Sequence, residues 1–379
     1  MDAALLLHHR DIFYYAGTVR PAALLVSPRD SVLFVRRGFE QAQQEATLSR
    51  VEPMRGFSDI AAVVTELGLT GSVLGVELDL VSVRLYRRLQ ETFGLSSTAI
   101  DSTWSLVDIS PLVMDQRMIK DEEESALARR AAAVADAGHI AAAQTIAPGV
   151  SELALAAEVE AAIRRVGHDG FQPLRHPGAR GAGVLLMSGE HLTVRGGHGL
   201  VVTGVGLGPA MPYGPSRRKL EVGDLVVVDI GSTYAGYTGD ESRTFVVGPA
   251  TEAQQALFAV ARATEDAVLG ALRPGFPVAD LYPIAEAVVA SGAPPYFAPG
   301  SLTLPGFVGH GIGLELDEPP VLWPRAETKL QAGMTLAIEI EVSALEQGSM
   351  VKLEDTVLLQ PDGYEMLTDM PRELIVSGE

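Results

Sequence analysis

Leu220 to Ser232, LEVGDLVVVDIGS, and Leu330 to Ser343, LQAGMTLAIEIEVS, are two copies of one pattern. Gly223 answers Gly333, an apolar run follows in each, and Asp229 inside the first run answers Glu339 inside the second. An ionised carboxylate in such a strand is costly to bury unpaired. A strand end that has reached water explains one such acid taken singly; two at matching places call for a common cause. Each run is followed by a return strand with a further acid, Asp240 in GYTGDESRTFVVG and Glu354 in KLEDTVLL. Upstream of each lies a helical pattern, a Pro-Gly turn (Pro148-Gly149, Pro274-Gly275) and a second helical pattern. Ser151 reads as an N-cap, and Thr251 with Gln254 as a capping box. A repeat of this length predicts two pseudo-twofold halves of one α+β domain, each offering a hairpin with two acids, and not a solenoid.

Clustered carboxylates repel one another unless cations neutralise them, and two divalent ions balance four acids. The chain has no cysteine, so any metal sits on Asp, Glu and His. His310, between two glycines in VGHGIGLELDEPP (Val308 to Pro320), is the candidate nitrogen ligand, with Gly309 and Gly311 letting the backbone pass close to the ions. One imidazole among oxygens suits Mn²⁺, Co²⁺, Fe²⁺ or Zn²⁺, with Mn²⁺ favoured. Glu341, on the same pleat face as Glu339, is a second acid in that strand without an assigned task.

The 379 residues are more than one ordinary core needs. In the first part, ALLLHH, AALLVS, SVLFVRR and VLGVEL alternate with the helical patterns DIAAVVTELG and SVRLYRRLQETFG, which predicts an α/β domain. We place the boundary near residue 118, giving domains 1–118 and 119–379. A net charge of −19, from 48 acids against 29 bases, argues against nucleic acid and against an anionic membrane surface. MDAALLLHHRD lacks the shape of a signal peptide, and no apolar run approaches the roughly 20 residues of a spanning helix. A cytoplasmic protein is expected.

The set Asp229, Asp240 before R-T-F, His310 in G-H-G-I-G, Glu339 after G-M and Glu354 before D-T resembles, in order and spacing, the pita-bread metallopeptidases. That family includes methionine aminopeptidase, aminopeptidase P, prolidase and the metal-free creatinase. The first domain, with DIFYYAG (Asp11 to Gly17), is similar to the extra α/β domain of the creatinase, prolidase and aminopeptidase P branch. The resemblance implies two divalent ions per chain. Asp229 is to hold one, His310 and Glu339 the other, and Asp240 and Glu354 are to bridge them. Glu339 is also to relay protons to and from the hydroxide nucleophile. It further implies a homodimer, with Tyr14 and Tyr15 where the partner contact falls.

Two positions depart from the branch. Its peptidases carry substrate-binding histidines where this chain has Tyr213, in GPAMPYGPS, and Asp317, in GLELDEPP. Tyr213 and Asp317 therefore stand as catalytic candidates of altered chemistry. His191, His198 and Arg195 lie in a Gly-rich segment; either histidine is a candidate for a missing imidazole, and Arg180 or Arg195 for reading a substrate carboxylate, although loop histidines and solvated arginines are the ordinary explanation. GVGLG at Gly204 lacks the spacing and the helix of a dinucleotide loop, and neither G-x-S-x-G nor H-E-x-x-H occurs. The reading is a dinuclear metallohydrolase acting on a small peptide or small amide-like substrate. The alternatives are a small-molecule hydrolase or lyase on the same metals and, less favoured because the ligand set is whole, a metal-holding binding protein.

Overall fold

A computed structural model describes residues 1–69, 73–94, 105–175, 183–195 and 201–378. The chain divides into two compact units, Met1–Arg117 and Met118–Glu379.

In the first unit the strands are β1 (Ala3–Leu6), β2 (Ala22–Val26), β3 (Ser31–Val35), β4 (Arg50–Pro53), β5 (Val73–Val76) and β6 (Ser105–Asp108). They form one sheet in the order β4-β3-β2-β1-β5-β6, parallel at β3/β4, β1/β5 and β5/β6. The helices are α1 (His9–Ala16), α2 (Phe39–Glu45), α3 (Phe57–Glu66), α4 (Val83–Thr92) and α5 (Ser110–Met118). Alternate strand residues bury on opposite faces. Leu5, Leu25, Phe34 and Leu74 pack with Ile60 and Leu89 of α3 and α4, while Leu6, Leu24 and Leu33 pack with Ile12 and Val113 of α1 and α5. Tyr14 and Tyr15 both donate to Gln116 of the same unit, Tyr14 to its backbone carbonyl and Tyr15 to its side chain.

The second unit opens with α6 (Glu122–Thr145) and α7 (Glu152–Arg165), followed by β7 (Leu185–Ser188), β8 (Leu225–Tyr234) and β9 (Tyr237–Val247). The second half repeats this with α8 (Glu252–Leu269) and α9 (Leu281–Ala290), then β10 (Gly309–Gly311), β11 (Glu318–Val321), β12 (Thr335–Ala344) and β13 (Ser349–Gln360), before the short β14 (Gly363–Met366) and β15 (Ile375–Ser377). Caps start the helices where the sequence placed them. Ser151 accepts from Ala154 N at 3.1 Å, and Thr251 and Gln254 cap each other reciprocally. The curled sheet runs β11-β10-β12-β13-β9-β8-β7, so the two long hairpins lie side by side, with β10 and then β11 outside the β12-β13 hairpin and β7 outside the β8-β9 hairpin, all antiparallel. This is the pita-bread architecture, with each half supplying a helix pair and a hairpin.

The pleat separates apolar from polar residues strand by strand. Val226, Val228, Ile230, Phe245 and Val247 pack under α6 and α7, and Ile338, Ile340, Val342, Val351 and Leu353 pack under α8 and α9. The intervening residues, Asp229, Asp240, Glu339 and Glu354 among them, therefore face away from the helices. Among the described residues, no helix is long and apolar enough to cross a membrane.

Candidate metal centre

Strand register assembles the site. Glu339 pairs with Glu354, Glu354 with Ser242, and Ser242 with Asp229, giving one row across four adjacent strands. Two residues from Ser242, on the same face, is Asp240. His310 is opposite Ala337, itself two residues before Glu339. All five predicted ligands are thus brought together and buried, with Glu354 at 0% exposure and His310 at 8%.

Gly309 and Gly311 serve the sheet here. A Cβ on Gly309, whose φ is +143°, meets the Ala337 carbonyl oxygen at 2.1 Å, and one on Gly311 meets the Pro319 carbonyl oxygen at 2.2 Å. Only glycine lets β10 thread between its neighbours.

The donors fall into two pockets. Asp240, His310 and Glu354 form one, and Asp229, Glu339 and Glu354 the other, each with ligand atoms within 4.8 Å of one another. Glu354 is shared. Glu339 groups with Asp229. Beside them lies a residue the sequence pattern did not single out. Lys352, two residues before Glu354 on the same face, places its ammonium 2.6 Å from Asp229 Oδ2 and 3.2 Å from Glu354 Oε2, and pairs with Glu339 Oε1. A lysine in the apolar strand MVKLEDTVLL at period two from a ligand was the available signal.

Electrostatics fit cation binding. Burial, then the neighbouring Glu354 and Asp229, push Asp240 well above the usual carboxylate range. Burial, partly offset by Lys352, pushes Glu354 up to about 7. Burial opposes charge on Lys352, but Asp229, Glu339 and Glu354 override it and hold the ammonium. Burial likewise opposes charge on His310, and Asp317, Glu339 and Glu354 outweigh it. Among the described residues, Asp240 Oδ1 and Glu354 Oε1 are buried without a hydrogen-bond partner. Orphaned buried oxygens beside an imidazole are what a divalent ion satisfies. His310 Nδ1 lies 3.1 Å from the Gly311 carbonyl oxygen, which fixes the proton there and leaves Nε2 as the ligand atom.

The other predicted residues are spread more widely. Asp317 is half exposed, with Oδ1 3.9 Å from His310 Nδ1. Tyr213 is half-buried in the turn closed by hydrogen bonds from Gly206 N to Gly214 O and from Gly214 N to Thr203 O. Arg195 pairs with Glu341 at 3.4 Å. His191 joins Ser188 and Ser216 around the buried Glu152 carboxylate, so it supplies a structural contact and no imidazole to the centre. His198 and Arg180 lie outside the described residues.

A buried four-carboxylate, one-imidazole centre on a curled sheet defines a metal-dependent hydrolase. Residues 126–361 match the model of metallopeptidase family M24, and residues 1–119 that of the creatinase/prolidase N-terminal domain. The chain is 28% identical to a Xaa-Pro dipeptidase of Pyrococcus horikoshii over 386 aligned positions, covering 99% of this chain and 95% of that relative. Among solved structures, the prolidase from the same organism superposes with a TM-score of 0.80 at 25% identity, covering 99% of this chain and 96% of that one. The X-Pro aminopeptidase from Thermotoga maritima shares the fold, with a TM-score of 0.81 at 23% identity and coverage of 99% and 97%. The chain belongs to metallopeptidase family M24. It is a metallopeptidase, and the family it belongs to depends on divalent metal.

Proposed function

We propose that this metallopeptidase uses two divalent ions, Mn²⁺ the favoured pair, to hydrolyse the amide bond of a short peptide or small amide. The observation that carries the reading is the pair of orphaned oxygens, Asp240 Oδ1 and Glu354 Oε1, buried beside His310 and within the reach of a second acid pocket. Ions held there acidify water and polarise a carbonyl. The chain's own groups do the rest. Asp240 and Glu354 fix the spacing of the centre, His310 presents Nε2, and Glu339 accepts and returns a proton at its carboxylate. Similarity to Xaa-Pro dipeptidases supports a short peptide as substrate.

Asp317 narrows the substrate. It stands exposed beside His310, where an ionised carboxylate accepts but cannot donate a hydrogen bond and repels the terminal carboxylate of a dipeptide. Substrates presenting an amine, an amide or another neutral or cationic group are therefore favoured over Xaa-Pro dipeptides, which also supports a small non-peptide amide as the second reading. The test assays Mn²⁺-loaded wild type, Asp317→His and the Tyr213→His, Asp317→His double variant on Xaa-Pro dipeptides and on their C-terminal amides. Wild type is expected to prefer the amides and Asp317→His to regain dipeptide turnover. Wild-type cleavage of Xaa-Pro dipeptides at a kcat/KM of about 10⁴ M⁻¹s⁻¹ or more defeats the substrate assignment.

A further inference from the structure

The two pockets are not equivalent. In the first, Asp240 Oδ1 and Glu354 Oε1 have no hydrogen-bond partner among the described residues. The second, Asp229 with Glu339 and Glu354, already receives a cation from the protein, since all three of its acids pair with the Lys352 ammonium. An ion coordinating the same Asp229 and Glu339 oxygens lies within a few ångströms of that ammonium, and like charges so close in a buried site repel strongly.

Lys352 has somewhere else to go. Its direct cross-strand partner is Glu341, which is buried on the same face. The Glu341 carboxylate accepts from Val202 N at 2.8 Å and faces the half-exposed Arg195 at 3.4 Å. An ionised carboxylate offers about four acceptor sites, so it retains capacity for an ammonium. Swinging from the Asp229 row to Glu341 moves the charge along one face of the sheet without exposing it.

We infer that Lys352 is a built-in competitor for one ion position. The pockets fill in order, Asp240, His310 and Glu354 first. An ion enters beside Asp229 and Glu339 only by displacing the ammonium onto Glu341. This rests on the reading of the two pockets as ion sites.

Calorimetric Mn²⁺ titration of the full chain, with elemental analysis of bound metal, tests it without an activity assay. Wild type is expected to bind two ions with affinities about 100-fold apart, and Lys352→Met to bring them within about 10-fold, the scale of close buried charge pairs. Glu341→Gln is expected to weaken the second ion in wild type and to have no effect in the Lys352→Met background, because it acts through the lysine. An unchanged gap in Lys352→Met overturns the inference, and so does an equal Glu341→Gln effect in both backgrounds. Absence of any bound Mn²⁺ overturns the ion reading itself, a distinct result. Anomalous diffraction from wild-type crystals soaked at low and high Mn²⁺ reads the same point without variants. One peak beside His310 followed by a second with Lys352 turned to Glu341 supports the order; two peaks together at low Mn²⁺ with Lys352 unmoved refutes it.

Discussion

On the helix-facing side of the two hairpins, Arg243 lies 2.6 Å from Asp355 and 2.9 Å from Glu241, while Arg372 lies 2.5 Å from Glu265 and 2.9 Å from Asp355. On the opposite side of the same strands, Asp229, Glu339 and Glu354 share the ammonium of Lys352, and Asp240 lies beside them. Neighbours in sequence belong to different faces: Asp240 to one and Glu241 to the other, Glu354 to one and Asp355 to the other. Arginines span the first face, and one of them also caps backbone, Arg243 donating to the Glu354 carbonyl at 2.7 Å and to the Pro371 carbonyl at 3.0 Å. Buried acids supplied with guanidinium partners hold a fold together. Buried acids left short of positive charge hold something brought from outside.

That contrast breaks if the two faces respond alike to mutation. The largest effect belongs to the ligand face. Asp240→Asn is expected to weaken Mn²⁺ by more than about 100-fold, beyond what loss of an outer-shell partner costs, and to remove turnover. Calorimetry and a peptidase assay check both. Arg243→Met acts on the other face, leaving Glu241 and Asp355 buried with less compensation. A loss of about 3–5 kcal/mol in denaturant stability is expected, with the surviving folded protein still binding Mn²⁺. If metal content falls in step with stability, the division of labour between the faces fails.

The smallest effect sharpens the comparison through pH. His139 of α6 is wholly buried on the helix-facing side, its Nε2 3.1 Å from the Glu241 carbonyl oxygen. Burial, then Arg243, depresses its pKa to about 3. The unfolded chain binds a proton that the folded one does not between pH 3 and 6.5, so stability is fully present above 6.5 and is lost as pH falls through that window. Going from pH 7 to 5 is expected to cost wild type about 2 kcal/mol more than His139→Gln. Equal slopes in urea titrations at the two pH values remove this role.

Much of this was legible in the sequence because it rests on period two and on repetition. The match of Leu220–Ser232 with Leu330–Ser343 revealed the two hairpins, and acids in apolar strands marked the ligand face. In the first unit the strands β1, β2, β3 and β5 followed from their apolar runs. Helix α1 and strand β4 did not, since HRDIFYYA and RVEP carry no period strong enough to identify them. Three-dimensional pairings were out of reach for a different reason. Nothing local in VVVDIGS says that Ser242 pairs with both Asp229 and Glu354, so the division of acids into pockets awaited the register. Lys352 went unnoticed because a lone lysine in a strand is ordinarily solvated, and only the row of acids around it makes it unusual.

The row Glu339, Glu354, Ser242, Asp229 runs along the hydrogen-bonding direction of the sheet, where strands stand about 4.8 Å apart. Backbone amides therefore act as the ruler of the centre, and side-chain substitutions nearby leave its gauge untouched. The residues proposed above to select the substrate, Asp317 just before β11 and Tyr213 in its turn, lie off that ruler. Under that proposal chemistry and selectivity are written in separable parts of the chain, so a sheet of this kind can change what it cleaves while keeping how it cleaves.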